Sequence, residues 1–298
     1  MNMTMVSVAA TQMACSWNRD ENIQRAEKLV RDAAAQGAQI ILIQELFETP
    51  YFCIDQSPEH FSLAQEAHNS SLIHHFQALA KALAVVLPIS FFERAGNAFY
   101  NSLAVIDADG SVLDIYRKTH IPNGPGYQEK QFFTPGDTGF KVWQTRYAKI
   151  GVAICWDQWF PETARSLALM GAELMFFPTA IGSEPQDASI NSQPHWTRTQ
   201  QGHAAANLVP VIASNRIGVE KSKYIDGLET TFYGSSFITD EFGELVQQLD
   251  KTTEGVLVHR FNLASIAKNR ASWGLFRDRR PGMYSTLQTS DGQHKGSR

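Results

Sequence analysis

Ile40-Ile41-Leu42-Ile43-Gln44-Glu45 is an unbroken apolar run of four that stops abruptly at a polar pair. Four residues are too few for an amphipathic helix, and no polar residue alternates with them. The run reads as a strand buried on both faces, the pattern of a central strand covered on each side. What precedes it fits. Residues 6–13 alternate and are rich in strand formers. Residues 18–36 carry Ile23, Ala26, Leu29, Val30 and Ala33 at helical spacing. Asn18 or Asp20 is placed to cap that helix, and Gly37 to end it. A β-α-β unit is complete within the first 45 residues.

The alternation continues along the chain. Residues 70–83 read as a helix and 85–92 as a strand, with Pro88 marking a bulge. Strands at 102–106 and 112–116 flank Asp109-Gly110, a hairpin signal. A strand at 149–155, a Pro-started helix at 161–170 and a strand at 174–177 follow. Then come a helix at 196–208 and strands at 211–214, 233–239 and 256–261. The expectation is one α/β domain over residues 1–284, with a mixed sheet or two sheets, and a polar tail at 285–298 whose last residues (SDGQHKGSR) fray.

Composition narrows the functional classes. The 298 residues are 43% hydrophobic and 19% charged, which excludes a disordered chain. The formal charge of -4 gives no basic surplus for nucleic acid or an anionic membrane. No apolar run approaches the roughly 18 residues of a membrane-spanning helix. The start, MNMTMVSVAATQM, has no Lys or Arg ahead of its apolar stretch and reads as a strand rather than a signal peptide. Cys15, Cys53 and Cys155 are sparse and odd in number, which suggests free thiols and a cytoplasmic location.

The usual markers of nucleotide phosphate sites, GxGxxG and GxxxxGK[ST], are missing, as are HExxH, CxxC and GxSxG. The nine histidines have no convincing ligand spacing, so no metal or other cofactor is expected. Cys155, in Ile150-Gly151-Val152-Ala153-Ile154-Cys155-Trp156-Asp157, sits where a buried strand gives way to a turn and a helix. Reactive groups in open α/β folds lie at such carboxyl ends, and a helix start nearby favours thiolate. A buried structural cysteine is the plainer alternative. Glu45 and Glu48 follow one strand end, and Lys118 follows another in Arg117-Lys118-Thr119-His120. Alone, these are ordinary carboxylates and a solvated cation. Together they supply a base, a nucleophile and an oxyanion partner: Glu45, Cys155 and Lys118.

These segments carry a resemblance. ILIQELF (41–47), IYRKTHIP (115–122) and GVAICWDQWFPE (151–162) resemble the three motifs of the nitrilase superfamily of carbon–nitrogen hydrolases. The resemblance implies an αββα sandwich with two mixed sheets between helix layers, and a Glu–Lys–Cys triad at Glu45, Lys118 and Cys155. It places an assisting glutamate at Glu129. Residues 124–142, 178–187, 201–218 and 272–284 resemble the N-carbamoylputrescine amidohydrolase branch, so the likeness runs from the first strand to about Tyr284. Asn123 stands where Asp is expected in many relatives.

The resemblance implies cofactor-free cleavage of a terminal ureido group from a cationic carbamoyl amine, releasing carbon dioxide and ammonia. The backbone N–H of Trp156 would share the oxyanion with Lys118. Glu184, in Thr179-Ala180-Ile181-Gly182-Ser183-Glu184, leaves a strand end and could accept the distal ammonium; a solvent-facing loop carboxylate is the bland alternative. A carbamoyl-β-amino-acid hydrolase, another amidase or nitrilase of the superfamily, and a silent binding module remain open. A homo-oligomer built from dimers is also implied, and residues 272–277 mix apolar and cationic groups suited to an interface.

Overall fold

Asn18 opens the first helix by accepting a hydrogen bond from the Glu21 N–H, and Gly37 (φ 89°) turns the chain out of it. A computed structural model of the chain describes residues 5–293. In chain order the elements are β1 (Met5–Gln12), α1 (Arg19–Ala35), β2 (Ile40–Leu42), α2 (Ser71–Leu83), β3 (Leu87–Ala95), β4 (Ala98–Ile106) and β5 (Val112–Arg117). The second half holds β6 (Val142–Gln144), β7 (Lys149–Val152), α3 (Pro161–Leu169), β8 (Leu174–Pro178), α4 (Gln193–Asn207) and β9 (Val211–Ser214). It ends with β10 (Ile217–Lys221), β11 (Glu229–Tyr233), β12 (Phe237–Thr239), β13 (Leu245–Gln248), β14 (Gly255–Asn262) and α5 (Leu263–Trp273).

Strands β14-β1-β2 and β3-β4-β5 form two three-stranded ribbons. A parallel bridge between Ile40 and Val86 joins them, with the Ile41 N–H donating to the Val86 carbonyl at 3.0 Å. Facing this layer is a six-stranded sheet in the order β13-β12-β9-β8-β7-β6. Its centre, β7-β8-β9, is parallel, and its flanks are antiparallel.

Period-two alternation sorts the apolar side chains between layers. Val6, Val8, Ala10, Ile40 and Leu42 join a core shared with Ile150, Val152, Phe176 and Ile212 of the second sheet, which extends to Leu167 of α3 and Trp196 of α4. Ala9, Ile41 and Ile43 point the other way, into a core with Leu29 and Val30 of α1 and Phe76 of α2. Each fully buried Ile, Val or Phe contributes roughly 1.5–3 kcal/mol. Helix, sheet, sheet and helix layers result. The fold is an αββα sandwich, as the resemblance implies.

Three local readings are corrected. Pro88 marks no bulge: it pairs in register with Val105. Both polar backbone atoms of Val86 face β2, so by alternation the nitrogen of Pro88 also points away from β4, where no ladder bond is lost. The strand expected at 233–239 is two strands, β11 and β12, because Gly234 (φ 51°) and Ser235 (φ 54°) turn left-handed between them. The strand at 149–155 stops at Val152, and Cys155 opens a 3₁₀ turn, Cys155–Trp159. In the polar tail, Ser285–Gln288 form a further 3₁₀ turn. Of the residues expected to fray, 294–298 lie outside the described residues. Strands β6, β10 and β13 and helix α5 were not anticipated.

Candidate active site

Three elements deliver the central cluster. Glu45 follows β2 in a turn whose next residue, Leu46, has φ 48°. Lys118 follows β5, and its N–H donates to the Asn101 carbonyl on β4 at 2.8 Å. Glu129 starts the short 3₁₀ turn Glu129–Gln131. Lys118 Nζ donates to Glu45 Oε1 at 2.8 Å and to Glu129 Oε1 and Oε2 at 2.9 and 2.7 Å. Asn101 Nδ2 donates to Glu45 Oε1 at 2.7 Å, and the Tyr51 hydroxyl to Glu129 Oε1 at 2.6 Å. Glu45 Oε2 is buried and has no hydrogen-bond partner among the described residues. It is the carboxylate oxygen of the cluster that no donor occupies.

Cys155 is buried with φ 41°, and its thiol makes a long contact with the Ala180 carbonyl at 3.9 Å. Strained backbone of this kind aims a side chain that an extended strand would leave in the sheet. The turn is pinned from behind by Asp157. Its carboxylate accepts from the Ile154 N–H (3.1 Å), the Tyr116 hydroxyl (2.7 Å) and the His120 N–H (2.9 Å). This one buried carboxylate ties the Cys155 turn to the chain on both sides of Lys118.

Electrostatics follow from burial. Desolvation pushes the Cys155 thiol well above its ordinary value; the Glu45 charge adds to this and Lys118 opposes it. The thiolate expected from a nearby helix start is therefore corrected: α3 begins only at Pro161, and burial and Glu45 dominate. Burial also disfavours the Lys118 ammonium, but Glu129 and Glu45 outweigh it and hold the group well above the usual lysine range. Burial raises Glu129 to about 7, with Glu45 adding to the rise and Lys118 opposing it.

A cavity of about 400 Å³ opens onto this cluster. Cys155 and Glu129 line it together with Tyr51, Trp156, Trp159 and Glu184. Asn123 and His195 line it too. The loop carrying Glu129 reaches the loop carrying Glu184 through Gly126 (φ 77°), where an added Cβ would lie 2.6 Å from the Pro185 ring. Glu184 is half-buried, and burial raises its carboxyl; its one described polar contact is from Gln186 at 3.4 Å. No hydrogen-bond partner for the Trp156 N–H is found among the described residues.

The structure brings Glu45, Lys118, Glu129 and Cys155 together and places Trp156 and Glu184 on the same cavity. It does not bring Glu48 there: that carboxylate accepts from Arg19 (2.6 Å) and Gln65 (2.9 Å). Asn101 and Tyr51 were missed. A buried Asn inside a strand is unusual and was the available signal for Asn101; Tyr51 offered none. Among the described residues no three His, Cys, Asp or Glu side chains are arranged to hold a metal ion.

Residues 7–271 match the carbon-nitrogen hydrolase family model. The chain is 58% identical to an N-carbamoylputrescine amidase of Arabidopsis thaliana, over 96% of each chain. It is 50% identical to a citrullinase of Francisella tularensis, over 96% of this chain and 99% of that one. Among solved structures, a carbon-nitrogen hydrolase from Helicobacter pylori superposes with a TM-score of 0.90 at 38% identity, covering 96% of this chain and 99% of the other.

Proposed function

The chain belongs to the carbon-nitrogen hydrolase family, and from that premise we propose that it hydrolyses N-carbamoylputrescine to putrescine, carbon dioxide and ammonia. The observation that carries this reading is one cavity lined both by Cys155 and by Glu184, a half-buried carboxylate with no cationic partner among the described residues. A ureido group at the thiol and an ammonium at Glu184 are the two ends of that substrate. A half-buried carboxylate raised by desolvation gains most from a cationic guest.

The chemistry assigns a role to each group. Glu45 Oε2 takes the thiol proton as Cys155 Sγ bonds to the ureido carbon. Lys118 Nζ and the Trp156 N–H hold the oxyanion that forms. The bond to the terminal nitrogen breaks, Glu45 returns its proton, and ammonia leaves an S-carbamoyl enzyme. Water then attacks, giving up a proton to Glu45 with Glu129 assisting. The carbon–sulfur bond breaks, the thiol recovers its proton, and the released carbamate loses carbon dioxide. Two nitrogens donate into a ureido carbonyl, so dividing one difficult displacement into two favours the covalent route.

Ammonia release from a substrate panel tests the assignment. N-carbamoylputrescine is expected to give the highest kcat/KM, followed by butylurea, which lacks the ammonium. Citrulline carries a carboxylate on the carbon next to the ammonium, and carbamoyl-β-alanine carries a carboxylate alone. A preference for carbamoyl-β-alanine would reassign the enzyme to an anionic substrate; a preference for citrulline would make it an amino-acid ureidohydrolase. Among the described residues no helix is long and apolar enough to cross a membrane. A cytoplasmic homo-oligomer assembled from dimers completes the proposal.

A further inference from the structure

We infer that Arg216 is a positioning residue for both carboxylates of the site, acting on Glu45 through its backbone and on Glu129 through Tyr51; the inference rests on the reading of the site given above. Arg216 immediately precedes β10 and is fully buried. Its Nη2 donates to two successive carbonyls, Glu45 at 2.8 Å and Leu46 at 3.1 Å. Its Nη1 donates to the Thr49 carbonyl at 3.3 Å and to Glu220 Oε1 at 2.8 Å. The other oxygen of Glu220 accepts the Tyr51 N–H at 2.5 Å, and the Tyr51 hydroxyl reaches Glu129.

Successive carbonyls of an extended strand point in opposite directions. Here both meet one nitrogen because Leu46 is left-handed, at φ 48°. That conformation is costly for a leucine and persists only where surrounding contacts over-determine it. The guanidinium supplies those contacts. It fixes the chain direction immediately after Glu45, while the Glu220 carboxylate fixes the backbone from which Tyr51 extends. One ion pair thus sets the spacing of the two carboxylates that share Lys118.

A guanidinium suits the task because its donors lie in a rigid planar fork, whereas an ammonium radiates three donors from one point. Burying the charge is costly, and the pairing with Glu220 and three carbonyls must offset that cost. An apolar side chain would fill the same space without that cost and without holding the turn.

The test compares Arg216→Lys, which keeps a charge beside Glu220 but loses the fork, with Glu220→Gln, which is nearly isosteric. Both are measured on the full chain and normalised to the folded fraction by circular dichroism and gel filtration. Displacing the base by about 1 Å is expected to lower kcat of Arg216→Lys on the order of 100-fold. KM should stay within about threefold, because neither Arg216 nor Glu220 itself lines the cavity. Glu220→Gln should lose about tenfold in kcat in the same manner. Folded Arg216→Lys with wild-type kcat, or a loss carried by KM, overturns the inference. Should Arg216→Lys fail to fold, Glu220→Gln decides by the same criterion. Glu45→Gln is run alongside: if it stays active the reading of the site itself falls, whereas inactive Glu45→Gln beside normal Arg216→Lys removes only Arg216.

Discussion

Beneath the cavity, with Glu129 alone of the three reaching its floor, Lys118, Glu45 and Glu129 expose no side-chain surface and surround one another with short hydrogen bonds. Along its wall, Glu184 is half-buried, and among the described residues its one side-chain hydrogen bond comes from Gln186. The two regions use the same residue type under opposite conditions. The floor carboxylates are held against an ammonium by contacts from distant parts of the chain, and none is free to follow a ligand. Among the described residues the wall carboxylate has no cationic partner, so its charge is available to a guest. Fixed, desolvated charge suits bond making, where reorganisation is costly. Available charge suits discrimination among substrates.

Removing sulfur should separate the two regions most sharply. Cys155→Ala is expected to abolish turnover while the cavity still binds N-carbamoylputrescine, since Glu184 is untouched. Steady-state ammonia release and calorimetric titration read the two effects, and an active Cys155→Ala enzyme would end the covalent mechanism. Lys118→Ala is a poorer probe. It leaves two buried carboxylates facing each other, and breaking one side of a buried pair costs roughly 3–5 kcal/mol of stability.

The floor also predicts a pH dependence of stability. Burial first, and the Glu45 charge second, raise Glu129 from 4.5 to about 7. Between those values the folded protein keeps a proton that the unfolded chain has released. The stability linked to Glu129 is therefore present in full below pH 4.5 and is lost as pH rises through about 7. Urea unfolding of wild type and Glu129→Gln from pH 4.5 to 8 should show wild type losing ground to the variant as pH rises. The opposite slope would mean that pairing with Lys118 outweighs burial and that Glu129 is ionised throughout.

Much of this was legible in the chain because strand ends are legible. The apolar run at Ile40–Leu42 and the motifs around Lys118 and Cys155 locate three sheet edges, and a family resemblance located Glu129. What stayed hidden works across long separations. Asn101 lies 56 residues from Glu45, Tyr51 lies 78 from Glu129, and Arg216 lies 171 from the carbonyl it holds. No periodicity or local motif encodes such pairings; they exist only once the sheets are assembled. The thiolate expectation failed for a related reason. Helix position can be read from sequence, but the depth of burial that governs the Cys155 thiol is a property of the packed sandwich.

The smallest predicted effect tests the wall. A charge-assisted hydrogen bond is worth roughly 1.5–3 kcal/mol, about one to two decades in kcat/KM. Glu184→Gln keeps the shape and one acceptor but removes the charge. It should lower kcat/KM for N-carbamoylputrescine by roughly that factor and leave butylurea, which has the same four-carbon chain but no ammonium, nearly unchanged. Citrulline should respond differently again: its carboxylate is repelled by Glu184, so the variant should lose less on citrulline than on N-carbamoylputrescine. The loss should appear mainly in KM, because the contact lies away from the reacting atoms and forms equally in ground and transition states. Equal losses on all three substrates would show that Glu184 shapes the loop before Pro185 rather than the guest. The available carboxylate of the cavity would then have to be sought elsewhere along its wall.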